Sequence, residues 1–312
     1  MYKLQKKLHE KRIKMSQNPL VTVICLCYNH ADYVVESLNS VINQDYKNIE
    51  LIILDDCSKD DSVIIIESWL KNHPEIQFIK NSDNIGNTKT FNIGLQLAKG
   101  DFIIDFAADD VLKKNCISRQ INQFQTTTFE NVGLVYGNCA LIDEKGNFLE
   151  SYFETNSNGK VVSKRTSGNE YLRILAGGKD AICSVSSLIR KEVFEKLNGY
   201  DETLAYEDLD FWIRASRVYN FDFIDEIIIE KRVLKNSMGS NFYKKNNTLT
   251  YSTYKILKKA LSLNKTRKED LALQKRIHHE IITTFQSGSY SLCIKNIGLR
   301  IQIGFRKWFI KS

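Results

Sequence analysis

Short apolar runs alternate with helical patterns along the first 110 residues of this 312-residue chain. Four runs of mainly aliphatic and aromatic residues predict strands, at 21–26, 49–54, 76–79 and 101–106. Between them, apolar residues recur at helical spacing, at 33–42, 63–70 and 84–99. This alternation predicts an α/β fold with a mostly parallel, Rossmann-like sheet flanked by helices.

The second half of the chain continues this pattern less regularly and ends in helices. Helices are expected at 115–125, 191–197 and 207–218, strands at 133–137 and 221–230, and a polar loop at 143–162. We therefore divide the chain into three parts: a basic N-terminal lead-in at 1–18, an α/β domain at 19–240 and a helical basic C-terminal extension at 241–312.

Charge is distributed unevenly along the sequence. Residues 244–312 carry 15 Lys/Arg and 3 Asp/Glu, whereas residues 15–243 carry 23 Lys/Arg and 33 Asp/Glu. A nucleic-acid-binding domain would carry its basic stripe on the fold itself, so this class of protein is excluded. Basic ends on an acidic body instead favour contact with an anionic membrane surface.

The sequence also indicates the cellular compartment of the protein. It shows no signal peptide and no run of about 18 apolar residues. The seven cysteines form no C-x-x-C pair, and several lie in apolar runs, which is typical of buried thiols in a reducing compartment. We expect a cytoplasmic protein, at the inner face of the cell membrane if its basic ends bind lipid.

The strongest chemical signal is the acidic pair Asp109-Asp110, which follows an apolar strand. Neighbouring carboxylates at a strand end repel each other unless a cation or hydrogen-bond donors compensate. A hard divalent ion such as Mn²⁺ or Mg²⁺ takes carboxylate oxygens and adds phosphate oxygens of a substrate. The alternative is a helix N-cap with a solvated neighbour.

Three further polar clusters accompany this pair. Tyr28-Asn29 follows the first strand, Asp55-Asp56 follows the second, and Glu207-Asp208 opens a later helix. Each alone has an ordinary explanation as turn or helix-start residues. The first two should meet the acidic pair at one edge of a parallel sheet, where α/β proteins bind ligands. A lone histidine in the first loop, His30, is typical of a turn or surface residue.

No phosphate-binding P-loop and no G-x-G-x-x-G motif after the first strand is found, which counts against a P-loop hydrolase and a dinucleotide-binding enzyme. The ordered motifs instead resemble the family 2 glycosyltransferases of GT-A fold, over about residues 19–235. The matching segments are 21–24 through 28–29, 54–60, 84–86, 92–95, 98–101, 108–110, 199–202 and 207–214.

The resemblance implies roles for the residues of the donor side. Tyr28 and Asp56 would hold the base of a nucleotide-sugar, with Asn29 beside them. Asp110 would be the metal ligand, and Asp109 would contact the ribose or sugar. The cofactor implied is a divalent metal, Mn²⁺ or Mg²⁺.

On the acceptor side, the resemblance makes Asp208 the general base of an inverting transfer. Glu207 and Trp212 belong to the same motif and would bind the acceptor. A carboxylate opposite the anomeric carbon removes the proton of the attacking hydroxyl, so no covalent intermediate is needed.

The chain departs from the family pattern at several positions. Ala108 precedes the acidic pair, so a strict Asp-x-Asp is missing. Arg232 matches a Tyr-Arg-x-His segment of many relatives, but Leu234 occupies the histidine position. Phe91 replaces a frequent arginine, and Lys89 nearby could supply a cation to the donor instead.

The tail mixes Arg and Lys with Trp, Phe and Ile over residues 297–311. Such a basic amphipathic helix is typical of interfacial membrane contact, and packing on the body or on a second copy is the alternative. We expect a metal-dependent inverting glycosyltransferase that acts on a glycan or lipid-linked acceptor in bacterial surface polysaccharide or glycolipid synthesis. The alternatives are a degenerate member that only binds nucleotide-sugar or glycan, and a nucleotidyltransferase.

Overall fold

The computed structural model describes residues 16–163, 170–177, 182–235, 242, 244–245 and 247–306. Most of the expected lead-in and the aromatic end of the tail, with Trp308 and Phe309, lie outside the described residues. Within them the strands are β1 Val21–Cys27, β2 Ile49–Asp55, β3 Gln77–Lys80, β4 Phe102–Ala107, β5 Val111–Leu112, β6 Val132–Ile142, β7 Phe148–Ser151, β8 Leu188–Arg190 and β9 Asn220–Arg232.

The helices of the described residues lie between and after these strands. They are α1 Val34–Ile42, α2 Ser62–Leu70, α3 Asn87–Leu97, α4 Cys116–Thr126, α5 Tyr171–Ala176, α6 Lys191–Leu197, α7 Asp208–Ser216, α8 Thr248–Leu263, α9 Arg267–Gln286 and α10 Tyr290–Arg306. The expected helices and strands of the first 110 residues are therefore present. The expected loop at 143–162 was wrong in part, because β7 pairs there with the long strand β6.

All nine strands join one sheet, in the order β3-β2-β1-β4-β8-β6-β9-β5, with β7 on β6. Strands β1 to β4 are parallel, as the alternating pattern predicts. The short strand β8 runs antiparallel between β4 and β6, so the sheet as a whole is mixed. The carboxyl ends of β1, β2 and β4 consequently lie at one edge, which is where ligands bind in sheets of this kind.

The core lies on both faces of β1, all of whose residues are buried. Helix α3 approaches the sheet closely at Gly94, where a β-carbon would lie 2.6 Å from Cγ2 of Ile24. Phe91 of the same helix is fully buried, with its ring centre 4.4 Å from that of Tyr200 and 5.3 Å from that of Phe194. Phe91 is thus a core residue that packs under the segment leading to α7.

The three C-terminal helices pack on the α/β body. Helix α9 begins with a capping box, in which Thr266 Oγ1 accepts a hydrogen bond from Glu269 N and Glu269 Oε2 accepts one from Thr266 N. The Tyr171 hydroxyl of α5 donates to Asn264 Oδ1 at 2.7 Å. Arg217, just after α7, donates to Glu269 at 2.6 Å. The tail is therefore docked to the body through polar contacts as well as apolar ones.

The last helix has two apolar faces. Leu292, Leu299 and Ile303 are buried against the neighbouring helices. The opposite side carries an exposed stripe with each member at least 40% exposed: Tyr290, Ile294, Ile297, Ile301 and Phe305. No helix in the described part of the chain is long and apolar enough to cross a membrane.

Candidate active site

A cleft of about 880 Å³ opens at the carboxyl edge of β1, β2 and β4. Its other wall is formed by the start of α7 and by the 3₁₀ turn Ser184–Ser186. Seven of the ten site residues expected from the sequence line it: Tyr28, Asn29, Asp56, Asp109, Glu207, Asp208 and Trp212. The cleft thus joins members of all four expected polar clusters, which are separated by up to about 180 positions in the sequence.

Asp56 is a buried carboxylate at one end of the cleft. Its Oδ1 accepts hydrogen bonds from Asn81 Nδ2 and Ile85 N, each at 2.9 Å, and its Oδ2 accepts one from Gly86 N at 2.8 Å. Oδ2 can accept a further hydrogen bond, so a ligand N–H can still bind there. The adjacent Tyr28 ring is 42% exposed and offers a flat apolar surface.

Asn29 shapes the loop after β1. Its backbone has a φ of 57°, in the left-handed region that asparagine tolerates. Its side-chain oxygen accepts from Lys59 N at 2.7 Å, and its own N–H donates to Ser58 Oγ at 2.9 Å. These bonds tie the loop after β1 to the loop after β2, which aligns Tyr28 with Asp56.

The acidic pair Asp109-Asp110 is divided between two environments. Asp109 lines the cleft. Asp110 is buried, and its Oδ1 accepts from Arg232 N at 2.9 Å. Burial, together with the charge of Asp109, raises the pKa of Asp110 well above its usual range, against the opposing effect of Lys231. The metal role expected for Asp110 stays a prediction, and the cleft favours Asp109 for direct contact with a ligand.

Lys89 and Arg232 are not among the residues that line the cleft. Lys89 is exposed on α3. The Arg232 guanidinium is buried, donates to Asp109 O at 3.1 Å and to Glu36 Oε2 at 2.7 Å, and lies over the Tyr33 ring. Arg232 therefore fixes the loop that presents Asp109.

Three carboxylates form a cluster inside the cleft: Asp105 of β4, and Glu207 and Asp208 at the start of α7. Burial raises the pKa of Asp105 to about 7, although the Tyr200 hydroxyl, which donates to Asp105 Oδ2 at 3.0 Å, opposes the shift. Burial and the charges of Asp105 and Asp208 raise the pKa of Glu207 to about 8. Glu207 Oε2 is buried and has no hydrogen-bond partner among the described residues.

Asp208 is the member of this cluster that starts α7. Burial raises its pKa, while hydrogen bonds from Leu209 N and from the Ser184 hydroxyl favour the charged form. The Leu209 bond to Asp208 Oδ1 is 2.6 Å long. The Asp208 side chain lines the cleft, where a ligand hydroxyl can reach it, and a carboxylate with a raised pKa is suited to accept its proton.

Two residues of the cleft wall bear on charge and metal binding. Lys235 lines the cleft with a side chain that is 88% exposed, so its ammonium can reach a bound anion. His30 also lines the cleft, and its Nδ1 is 3.8 Å from Asp109 Oδ1. This nitrogen is buried and has no hydrogen-bond partner in the described part of the chain.

The donor atoms near Asp109 fit a divalent ion that takes most of its ligands from water and substrate. No group of three or more His, Cys, Asp or Glu residues suited to a metal is found within the described ranges. Mg²⁺ is commonly held by only one or two carboxylates together with substrate phosphates. The Asp109 carboxylate meets that requirement, and the unpartnered nitrogen of His30 lies 3.8 Å from it.

The sequence missed Asp105, Ser184 and Lys235. Asp105 stands between the apolar residues Ile104 and Phe106. A charged residue inside an otherwise apolar strand is rare without a functional or structural partner, so this position could have been singled out from the sequence. Ser184 carries no such signal, because its contact with Asp208 arises only when distant segments meet in the fold. Lys235 is one of many basic residues in the sequence.

A model of the family described as "Glycosyl transferase family 2" matches residues 22–197. The chain belongs to glycosyl transferase family 2. The family resemblance of the sequence is thereby confirmed, and the chain is a glycosyltransferase.

Among curated relatives, an uncharacterised glycosyltransferase of Rickettsia typhi is 32% identical over 223 residues, 70% of this chain and 66% of its own length. An uncharacterised glycosyltransferase of Methanocaldococcus jannaschii is 27% identical over 240 residues, 76% of this chain and 79% of its own length.

Solved structures confirm the GT-A fold. TarS of S. aureus, residues 1–349 in complex with UDP-GlcNAc, superposes with a TM-score of 0.68 at 18% identity, over 91% of this chain and 81% of that one. The mannosyltransferase PcManGT of Pyrobaculum calidifontis, in complex with GDP-Man and Mn²⁺, superposes with a TM-score of 0.60 at 15% identity, over 98% of this chain and 89% of that one.

Proposed function

We propose that this protein transfers a sugar from a nucleotide-sugar donor to a hydroxyl acceptor, with inversion at the anomeric carbon and with Asp208 as the general base. One observation carries the proposal. A single cleft places Asp208 in one wall and Tyr28, Asp56 and Asp109 at the other end, so donor and base can meet across it.

The donor end is suited to a nucleobase. The exposed Tyr28 ring can stack on the base, and Asp56 can accept a base N–H while its other bonds hold it in place. The two structural neighbours were solved with UDP-GlcNAc and with GDP-Man, which supports a nucleotide-sugar donor here as well.

We propose that Asp109 holds a divalent ion, Mn²⁺ or Mg²⁺, at the diphosphate of the donor. A divalent ion in this position supplies positive charge that stabilises the leaving nucleoside diphosphate. Lys235 adds a second positive charge from the rim of the cleft. Arg232 links the two aspartates: its backbone N–H donates to Asp110 Oδ1, and its guanidinium donates to Asp109 O. Asp110 thereby helps to fix the position of Asp109.

Asp208 accepts the proton of the acceptor hydroxyl as its oxygen attacks the anomeric carbon. The bond between that carbon and the diphosphate oxygen breaks in the same step, so the configuration inverts and no covalent intermediate forms. Ser184 and Leu209 N orient the Asp208 carboxylate. Glu207 and Trp212 line the same wall and would contact the acceptor.

The acceptor is proposed to be a glycan or a lipid-linked sugar of bacterial surface polysaccharide or glycolipid synthesis. Support comes from the exposed stripe of α10, because an apolar helix face beside basic residues is typical of interfacial membrane binding. In this proposal the domain at 19–240 performs the transfer, and the extension at 241–312 brings it to the inner face of the cell membrane.

Sedimentation with anionic vesicles tests the membrane contact. Ile301→Glu, in the stripe, should weaken binding about tenfold at low salt. Ile64→Glu is the matched control, because Ile64 is a 65% exposed isoleucine on α2, outside the tail. Equal binding by the two variants would contradict a role for the stripe.

Product analysis tests the transfer itself. A panel of nucleotide-sugars is incubated with the protein, with and without Mn²⁺ or Mg²⁺, and release of nucleoside diphosphate and of pyrophosphate is measured. We expect metal-dependent nucleoside diphosphate release from one donor and its reduction by at least about 100-fold in Asp208→Asn. The control Asp225→Asn, in β9 and not among the residues that line the cleft, should change the release little. Pyrophosphate release would indicate a nucleotidyltransferase. Binding of a donor without turnover, even with lipid-linked acceptor extracts, would indicate a degenerate member.

A further inference from the structure

His30 has an unexplained imidazole nitrogen. Its Nδ1 is buried and has no hydrogen-bond partner among the described residues. Among the described residues, the nearest carboxylate oxygen is Asp109 Oδ1, at 3.8 Å, which is beyond hydrogen-bond distance. A buried polar atom without a partner costs free energy, so this arrangement calls for a group that satisfies both atoms.

A cation between the two atoms would satisfy them together. Nitrogen and carboxylate ligands lie about 2.1 Å from ions such as Zn²⁺ or Mg²⁺, so two ligands of one ion can be up to about 4.2 Å apart. The observed 3.8 Å separation lies within that span. Both residues line the cleft, on the side where substrate and water can supply the remaining ligands.

Hydrogen bonds hold the backbones of both residues in place. His30 N donates to Ser62 Oγ at 2.9 Å, and His30 O accepts from Tyr33 N and Val34 N at the start of α1, each at 2.9 Å. Asp109 O accepts from the buried Arg232 guanidinium at 3.1 Å. The backbones that carry the two ligand atoms are therefore anchored to three separate elements, α1, α2 and β9.

Leu234 lines the same cleft and offers the ion no ligand atom. We infer that His30 is an imidazole ligand of the divalent ion held by Asp109. The inference rests on the metal dependence of the proposed function and adds a residue to it.

Pulsed electron paramagnetic resonance of bound Mn²⁺ tests the inference directly. The full-length protein is examined with Mn²⁺ alone and with Mn²⁺ plus UDP or GDP. A coordinated imidazole gives a ¹⁴N modulation of the Mn²⁺ echo, and the modulation is independent of turnover. The variants are His30→Ala and the control His73→Ala, since His73 stacks on Trp69 at the end of α2, outside the cleft.

We expect the ¹⁴N modulation in the wild type and in His73→Ala, and its loss in His30→Ala. Mn²⁺ affinity should fall at least about tenfold in His30→Ala only. Modulation that persists in His30→Ala, or Mn²⁺ binding to the wild type without modulation, would overturn the inference and leave the proposed transfer intact. Failure of the wild type to bind Mn²⁺ under all three conditions would overturn the metal dependence as well.

Discussion

Replacing Asp105 by asparagine should stabilise the protein at pH 8 and leave its stability nearly unchanged at pH 4. Asp105 is half-buried beside Glu207 and Asp208, and desolvation raises its pKa from the ordinary 3.8 to about 7. The folded state therefore binds a proton more tightly at this site than the unfolded state does. Stability from this proton is fully present below pH 4 and is lost as the pH rises towards 7.

The magnitude follows from the size of the shift. About three pKa units at about 1.4 kcal/mol each give a cost of at most about 4 kcal/mol when Asp105 is ionised above pH 7. Asparagine removes this cost and still accepts the hydrogen bond of Tyr200. Because Glu207 and Asp208 stay in the cluster and keep part of the repulsion, we expect a measured gain of about 1–4 kcal/mol at pH 8.

Urea unfolding at a series of pH values from 4 to 8 measures this difference. The wild type should lose stability relative to Asp105→Asn as the pH rises. A difference between the two proteins that does not vary with pH would refute the reasoning, because it would mean that the Asp105 proton is equally bound in both states. A variant that is less stable at pH 8 would refute it too.

Three further predictions concern other parts of the fold. Asp201→Asn should have the opposite pH dependence. Burial alone would raise the pKa of Asp201, but the ammonium of Lys259 helps to lower this pKa to about 2. In the same urea assay, the wild type should therefore lose its stability advantage over the variant as the pH falls from about 4 to about 2. Asp56→Ala should weaken nucleotide binding in calorimetric titration by at least about tenfold, since three donors lose their common acceptor. Gly199→Ala should lower the free energy of unfolding by about 1–3 kcal/mol, because φ is +69° and the new β-carbon would lie 2.7 Å from Asn92 Oδ1.

The first half of the fold could be predicted because its pattern is strong. The strands β1, β2 and β4 are short apolar runs, and the helices between them have clear periodicity. The strands β7 and β8 could not be predicted in this way. They have only four and three residues, too few for a clear pattern. In addition, β8 owes its place in the sheet to pairing with the distant strands β4 and β6.

Cleft residues that follow a parallel strand could be predicted, because the carboxyl ends of such strands lie at one edge of the sheet. This argument identified Tyr28, Asp56 and Asp109, which lie one or two residues after β1, β2 and β4. It could not tell Asp109 from Asp110, since adjacent side chains face different surroundings and only Asp109 lines the cleft. It also could not anticipate that Arg232 is buried as a support, because its partners are far apart in the sequence.

The stereochemistry of the first product tests the central claim most directly. Time-resolved proton NMR identifies the anomer released from an α-linked nucleotide-sugar before it mutarotates. Direct attack by a hydroxyl or water that Asp208 deprotonates predicts the β anomer as the first product. Release of the α anomer would mean retention of configuration and would contradict the assignment of Asp208 as the general base of a single displacement.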